Sequence, residues 1–176
     1  MKMRRLKKWI TCICAITLLS LPLNVFASET TENKVNFAGE EEPVIEVMTP
    51  EEAEYYYKQL ADNNRIMPRS DLGICDVGLS NSDGKLLVVY STSCRGIASK
   101  IGVKNFTLQQ KNGLTWKNIV IRNEYSENTD AFFGGFFLTN PEEGKKYRAH
   151  CVHYAVKNGT ELSLYTETEA YEYHNN

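Results

Sequence analysis

This chain has no recognisable catalytic or metal-binding motif and no surplus of basic charge, with 20 Lys and Arg against 22 Asp and Glu. A neutral-to-acidic balance gives the chain as a whole no basic footprint of the kind that phosphate backbones and anionic lipid surfaces require, so nucleic acid is not an expected partner. Five cysteines are too few for a disulfide scaffold, and two of them, Cys12 and Cys14, fall in the N-terminal apolar run. No apolar run reaches the ~20 residues that span a bilayer. Helical periodicity is confined to one short segment.

What is present begins with an address. Lys2, Arg4, Arg5, Lys7 and Lys8 precede an apolar run from Trp9 to Leu23, and Val25-Phe26-Ala27 closes it ahead of Ser28. This is the pattern of a secretory signal peptide, residues 1–27, with cleavage after Ala27. The mature protein is expected to be secreted and extracellular, with no membrane attachment after cleavage. Removal of the leader leaves 15 Lys and Arg against 22 acids, a net charge of −7. Ten of those acids lie between Ser28 and Met67, so the acidity belongs to the N-terminal segment rather than to the main domain. About 149 residues suit one domain.

Residues 28–48 read as an acidic, disordered linker, because Glu40, Glu41 and Glu42 repel one another and no periodicity accompanies them. Residues 49–67 read as a short helix and connector. Thr49 is the N-cap, Pro50 takes the first helical position and Glu52 completes a capping box. Ala53, Tyr56, Tyr57 and Leu60 then form one apolar stripe, which must dock on the domain behind it or on a partner.

From residue 68 to 176 the chain turns to Val, Ile, Tyr, Phe and Thr in short runs between turn signals, the mark of an all-β antiparallel sandwich of about seven strands. Asp83-Gly84, Asn112-Gly113 and Asn158-Gly159 supply three two-residue hairpin turns. The first sets Cys75 opposite Thr92 and Val77 opposite Tyr90. The second sets Phe106 opposite Ile119 and Leu108 opposite Lys117. The third sets Cys151 opposite Thr166, His150 opposite Glu167, Arg148 opposite Glu169 and Tyr147 opposite Ala170.

The run from Phe136 to Val152, with Leu138, Pro141 and Tyr147, resembles the leucine, proline-turn and tyrosine corner of immunoglobulin-like and fibronectin type III domains. Ile101 to Gln110, Thr115 to Asn118 and Tyr147 to Ala155 together resemble an uncharacterised family of small secreted proteins of Gram-positive bacteria. The resemblance spans roughly Leu72 to Tyr173 and implies a secreted β-sandwich of unknown function. It brings no site residues. The immunoglobulin-like likeness further implies a Cys94–Cys151 bridge between strands B and F, the alternative being three buried thiols.

Several features invite chemistry and are set aside. His150 and His153 lie three apart on a strand and point to opposite faces, so they do not chelate one ion. Cys94 or Cys151 beside a histidine suggests a nucleophile, but core-facing thiols are inert. The triplets at Asn105 and Asn158 match the glycosylation pattern by chance. No cofactor is expected, and the protein is not expected to be an enzyme. Phe132, Phe133, Phe136 and Phe137 surround paired glycines and cannot all face inward, which points to core packing with a bulge, a covering partner or a self-association edge.

One face remains as a candidate. Trp116, Gln109, Tyr154, Tyr165 and His150 share outward parity on neighbouring hairpins, an aromatic and polar patch suited to a glycan or a protein ligand. The helix lying over Trp116 is the competing arrangement. The expectation is a monomeric, non-catalytic extracellular binding module. The alternative is a secreted effector or inhibitor whose acidic segment and helix regulate the sandwich.

Overall fold

The computed structural model describes residues 31–32, 42–61 and 72–175. The expected leader lies outside them, as does the connector expected after the helix, through residue 67. In chain order the elements are β1 (Thr31–Glu32), β2 (Ile45–Val47), α1 (Pro50–Ala61), β3 (Leu72–Ser82), β4 (Lys85–Asn112), β5 (Thr115–Leu138), β6 (Lys146–Lys157), β7 (Thr160–Glu167) and β8 (Tyr171–Glu172). The fold is all-β and antiparallel, with one short helix.

The two layers belong to one continuous sheet. β4 runs for 28 residues and β5 for 24, far longer than the turn signals suggest. β4 pairs with β3 through Lys85–Cys94 and with β6 through Lys100–Gln110, while β5 accompanies it along nearly its whole length. Between these two stretches the β4–β5 ladder is interrupted from Ser93 to Ala98, where Gly96 has φ +76°, and Asn128 on β5 has φ +55°. A second interruption brackets Asn105, φ +52°. Bulges with left-handed residues bend and twist a strand, and Gly and Asn tolerate that conformation best. The folded-over sheet brings β3 against β6 and β7.

Inward residues from both halves fill the space between. Tyr90 packs on Phe106 with ring centroids 4.7 Å apart, and Phe106 meets Phe136 edge-on at 5.8 Å. A side chain at Gly134 would place a Cβ 2.4 Å from the Tyr90 ring, so glycine there makes room for the core's largest aromatic stack. A buried ion pair lies in this core: Arg122 Nε donates to Glu124 Oε1, and Tyr90 Oη donates to Oε2 at 2.8 Å. Both carboxylate oxygens are satisfied, the condition for such a pair to persist away from water. At the end of β6's lead-in the Glu142 N–H donates to Tyr147 Oη at 2.8 Å, the bond that defines a tyrosine corner.

The first and third hairpins have the expected registers near their turns, Cys75 opposite Thr92 and Cys151 opposite Thr166. The far end of the third differs: Tyr147 faces Tyr171, not Ala170, and Arg148 ion-pairs with Glu167 rather than Glu169. The second hairpin departs throughout. It turns at Gly113-Leu114, pairs Asn112 with Thr115, and after a bulge sets Leu108 opposite Val120 and Phe106 opposite Arg122. The expected register would have set the Lys117 ammonium beside buried Leu108. The observed one puts Val120 there, avoiding an unpaired charge in the core.

Helix α1 has the expected bounds and cap: Thr49 N–H donates to Glu52 Oε2 at 2.8 Å and Glu52 N–H to Thr49 Oγ1 at 3.3 Å. Its stripe docks on the domain. Phe132 and Phe136 point into the core while Phe133 and Phe137 point outward beneath the helix, with Tyr57 on Phe133 at 5.7 Å and Tyr56 on Phe137 at 5.3 Å. No bulge is needed, since pairing from Ala131 to Leu138 is uninterrupted and the covering partner is the chain's own helix. The disordered linker expected over residues 28–48 is also corrected where it is described. Ile45–Val47 adds a strand to β5, and Val44 N–H bonds Asn140 Oδ1 at 2.8 Å, because an apolar Ile-Glu-Val run can use an open sheet edge.

Candidate binding face

α1 covers the outer side of β3, the first part of β4 and the last part of β5, and among the described residues no element lies over the outer side of the other half. Trp116 and Asn118 of β5, Gln109 of β4, Arg148 and His150 of β6, and Tyr165 and Glu167 of β7 all lie there. Strand alternation puts them on one face, and the registers set Asn118, Gln109 and Arg148 in one row.

These side chains bond to one another rather than standing free. Gln109 Nε2 donates to Asn118 Oδ1 at 2.7 Å, Arg148 Nε donates to Gln109 Oε1 at 2.7 Å, and Arg148 Nη1 lies 2.7 Å from Glu167 Oε1. Tyr165 Oη donates to Glu167 Oε2 at 3.0 Å, and the His150 ring lies 5.8 Å from the Tyr165 ring. The result is a ladder of planar polar groups across four strands. Trp116 sits at one end, with the Arg148 guanidinium 4.4 Å and Lys111 Nζ 5.0 Å from its ring, and His150 and Tyr165 sit at the other. Partial burial lowers the His150 pKa, opposed by Glu167 and reinforced by Arg148. Burial also raises the Tyr165 pKa, with the bond to Glu167 adding to it.

Four of the five expected residues, Trp116, Gln109, His150 and Tyr165, therefore meet. Tyr154 does not join them: it shares their face on β6 but lies opposite Gly102, with Lys104 Nζ 5.4 Å from its ring. Trp116 is half-buried under cations rather than a bare platform, and the most exposed ring is Tyr165, at 55 %. Arg148, the centre of the ladder, was missed as a site residue; the signal available was its alternation with His150 on one strand.

On the other side of β6 the thiol and imidazole are close but inert. Cys151 Sγ lies 3.2 Å from His153 Nε2, and neither residue is exposed to solvent. Thr92 Oγ1 donates to Gly102 O, so it accepts from His153 Nδ1 at 2.7 Å, leaving Nε2 to accept from Thr166 at 2.8 Å. Burial pushes the Cys151 thiol up to about 12 and His153 down to about 4. Both stay neutral, and a neutral thiol is a weak nucleophile. Cys75, Cys94 and Cys151 are free here, the arrangement of the unbridged alternative rather than the Cys94–Cys151 bridge: Cys94 Sγ bonds Gly96 O within the β4 bulge, and Cys151 is engaged by His153 and Thr166. Among the described residues no group of three or more His, Cys, Asp or Glu is arranged to hold a metal ion.

Compared with known proteins, the chain matches no family model, no curated protein and no solved structure.

Proposed function

We propose that this chain is a secreted, non-catalytic binding module that takes a glycan on the face centred on Arg148. The ladder Asn118–Gln109–Arg148–Glu167–Tyr165 carries the reading. Long polar side chains on an ordinary surface lose rotamer freedom when a ligand orders them; here mutual bonds on regular strands have already restricted them, which lowers the cost of binding. Amide, guanidinium and carboxylate groups side by side match the alternating donors and acceptors of sugar hydroxyls. Aromatic rings at both ends suit the apolar C–H faces of a sugar. Arg148 and Glu167 offset each other, so the ligand class is polar and uncharged.

The test is capture of the exported protein on insoluble glycans and peptidoglycan, compared with Tyr165→Ala and Asn118→Ala. Both side chains are exposed, so neither change should disturb folding. At least about tenfold weaker capture is expected for each. Equal capture by wild type and both variants, or none by wild type, removes the reading.

A further inference from the structure

The β4–β5 hairpin puts an aliphatic side chain at its turn. Asn112-Gly113 suits the commonest two-residue hairpin loop, since both residues tolerate positive φ. The chain instead turns one residue later, with Gly113 at φ +57° as the first turn residue and Leu114 as the second. Turn tips are ordinarily polar or glycine, yet Leu114 is 97 % exposed, more than any other large hydrophobic residue among those described.

The surroundings of Leu114 point to one kind of surface. Trp116 lies one residue pair below the turn, opposite Lys111, and Lys117 follows it. Lys111 Nζ reaches both the Trp116 ring, at 5.0 Å, and Leu114 O, at 3.4 Å. From Lys104 to Arg122 the sequence contains no acid, although acids outnumber bases in the chain as a whole. An aliphatic tip, an indole just behind it, one amine over the indole and a second on the adjacent strand position is the order of groups that fits the acyl boundary, the headgroup level and the phosphates of a bilayer. The balanced charge of the whole domain conceals this acid-free hairpin.

We propose that the tip of the β4–β5 hairpin, Leu114 with Trp116, Lys111 and Lys117, is a shallow, reversible contact for an anionic lipid surface. One aliphatic side chain and two amines give weak partitioning, comparable with a single acyl chain rather than a spanning helix. The contact shares Trp116 with one end of the Arg148 face, but the substitutions that test it, at Leu114, Lys111 and Lys117, leave the hydrogen bonds of the ladder intact.

The experiment uses the full chain carrying Trp9→Phe, so that Trp116 is its single indole. The fluorescence is followed with vesicles of brominated phosphatidylcholine, alone or mixed with phosphatidylglycerol. Trp116 should be quenched by the mixed vesicles and much less by phosphatidylcholine alone. Leu114→Asn should weaken partitioning about tenfold at unchanged circular dichroism, since the exposed side chain contributes nothing to the core. Lys111→Gln with Lys117→Gln should abolish the preference for phosphatidylglycerol. Quenching that survives Leu114→Asn, as association through the leader would, overturns the proposal. So does equal quenching by the two kinds of vesicle, or no quenching by either.

Discussion

The two halves of the folded sheet present opposite answers on their outer sides. Beneath α1, the outward positions of β3, β4 and β5 are Ile74, Leu87, Val89, Phe133 and Phe137. On the other half they are Gln109, Asn118, Arg148, His150, Tyr165 and Glu167. β4 and β5 run through both, so one pair of strands changes its outward chemistry from apolar to polar across the bulge near Gly96 and Asn128. An apolar outer side requires a cover, and the chain supplies one; a polar outer side requires none and is left open. Among the described residues the polar half is the one whose outer side carries no helix.

The largest effects should appear when the covered half is treated as though it were open. Tyr57 is 5 % exposed and lies on Phe133. Tyr57→Ala should cost about 3 kcal/mol in urea denaturation, the usual loss for a buried aromatic. A loss under about 1 kcal/mol would mean that the helix is only loosely applied. The hydroxyl behaves in the opposite sense. Tyr57 Oη is buried without a hydrogen-bond partner, so Tyr57→Phe should raise stability by about 1 kcal/mol.

Acid should separate the halves next. His153 is neutral in the fold, with its pKa lowered by burial from 6.5 to about 4. The unfolded chain takes up a proton below 6.5 that the folded chain refuses. Its contribution is therefore complete above pH 6.5 and lost as pH falls toward 4, about 3 kcal/mol at about 1.4 kcal/mol per unit. Asp76, on the helix side near Tyr57, has its pKa raised by burial, opposed by the Val77 N–H. It acts the other way, favouring the fold when protonated and opposing it as pH rises. Denaturation midpoints between pH 4 and 6.5 should fall with acid in the wild type and more steeply in Asp76→Asn, which lacks the opposing carboxyl. A flat profile in both would mean that His153 is hydrated.

Local signals in the sequence proved the most legible. The capping box, the stripe from Ala53 to Leu60 and two hairpin registers depend on residues close together in the chain, and all are present. What stayed hidden depends on neighbours distant in sequence. Gly96, Asn105 and Asn128 look like turn residues but bend two long strands, because a bulge and a turn demand the same left-handed conformation. Asn112-Gly113 misled for a related reason: Gly113-Leu114 also suits a two-residue hairpin turn, and the core pairing of Leu108 with Val120 selects between the two. Alternation alone put Trp116, Gln109, His150 and Tyr165 on one face. Arg148 looked like an ordinary solvated charge, since its role as the hub appears only when β4, β6 and β7 are side by side.

The smallest effect asks whether the open half is prearranged or merely uncovered. The Arg148 and Glu167 side chains are 31 % and 34 % exposed, and ion pairs this open usually couple by about 0.2–1 kcal/mol. Here each partner is held by a further bond, Arg148 to Gln109 and Glu167 to Tyr165, so less side-chain entropy remains to be lost when they meet. A double-mutant cycle with Arg148→Gln and Glu167→Gln should therefore give a coupling near the upper end, about 1 kcal/mol, and Tyr165→Phe should reduce it by removing the hydroxyl that orients Glu167. Raising the salt concentration to 1 M should lower the coupling only in part, because hydrogen bonds at 2.7 Å survive ionic screening that erases bare Coulomb attraction. A coupling near zero, or one that vanishes in salt, would make the ladder an ordinary solvated surface and leave its polar residues with the full entropic cost of ordering around a ligand.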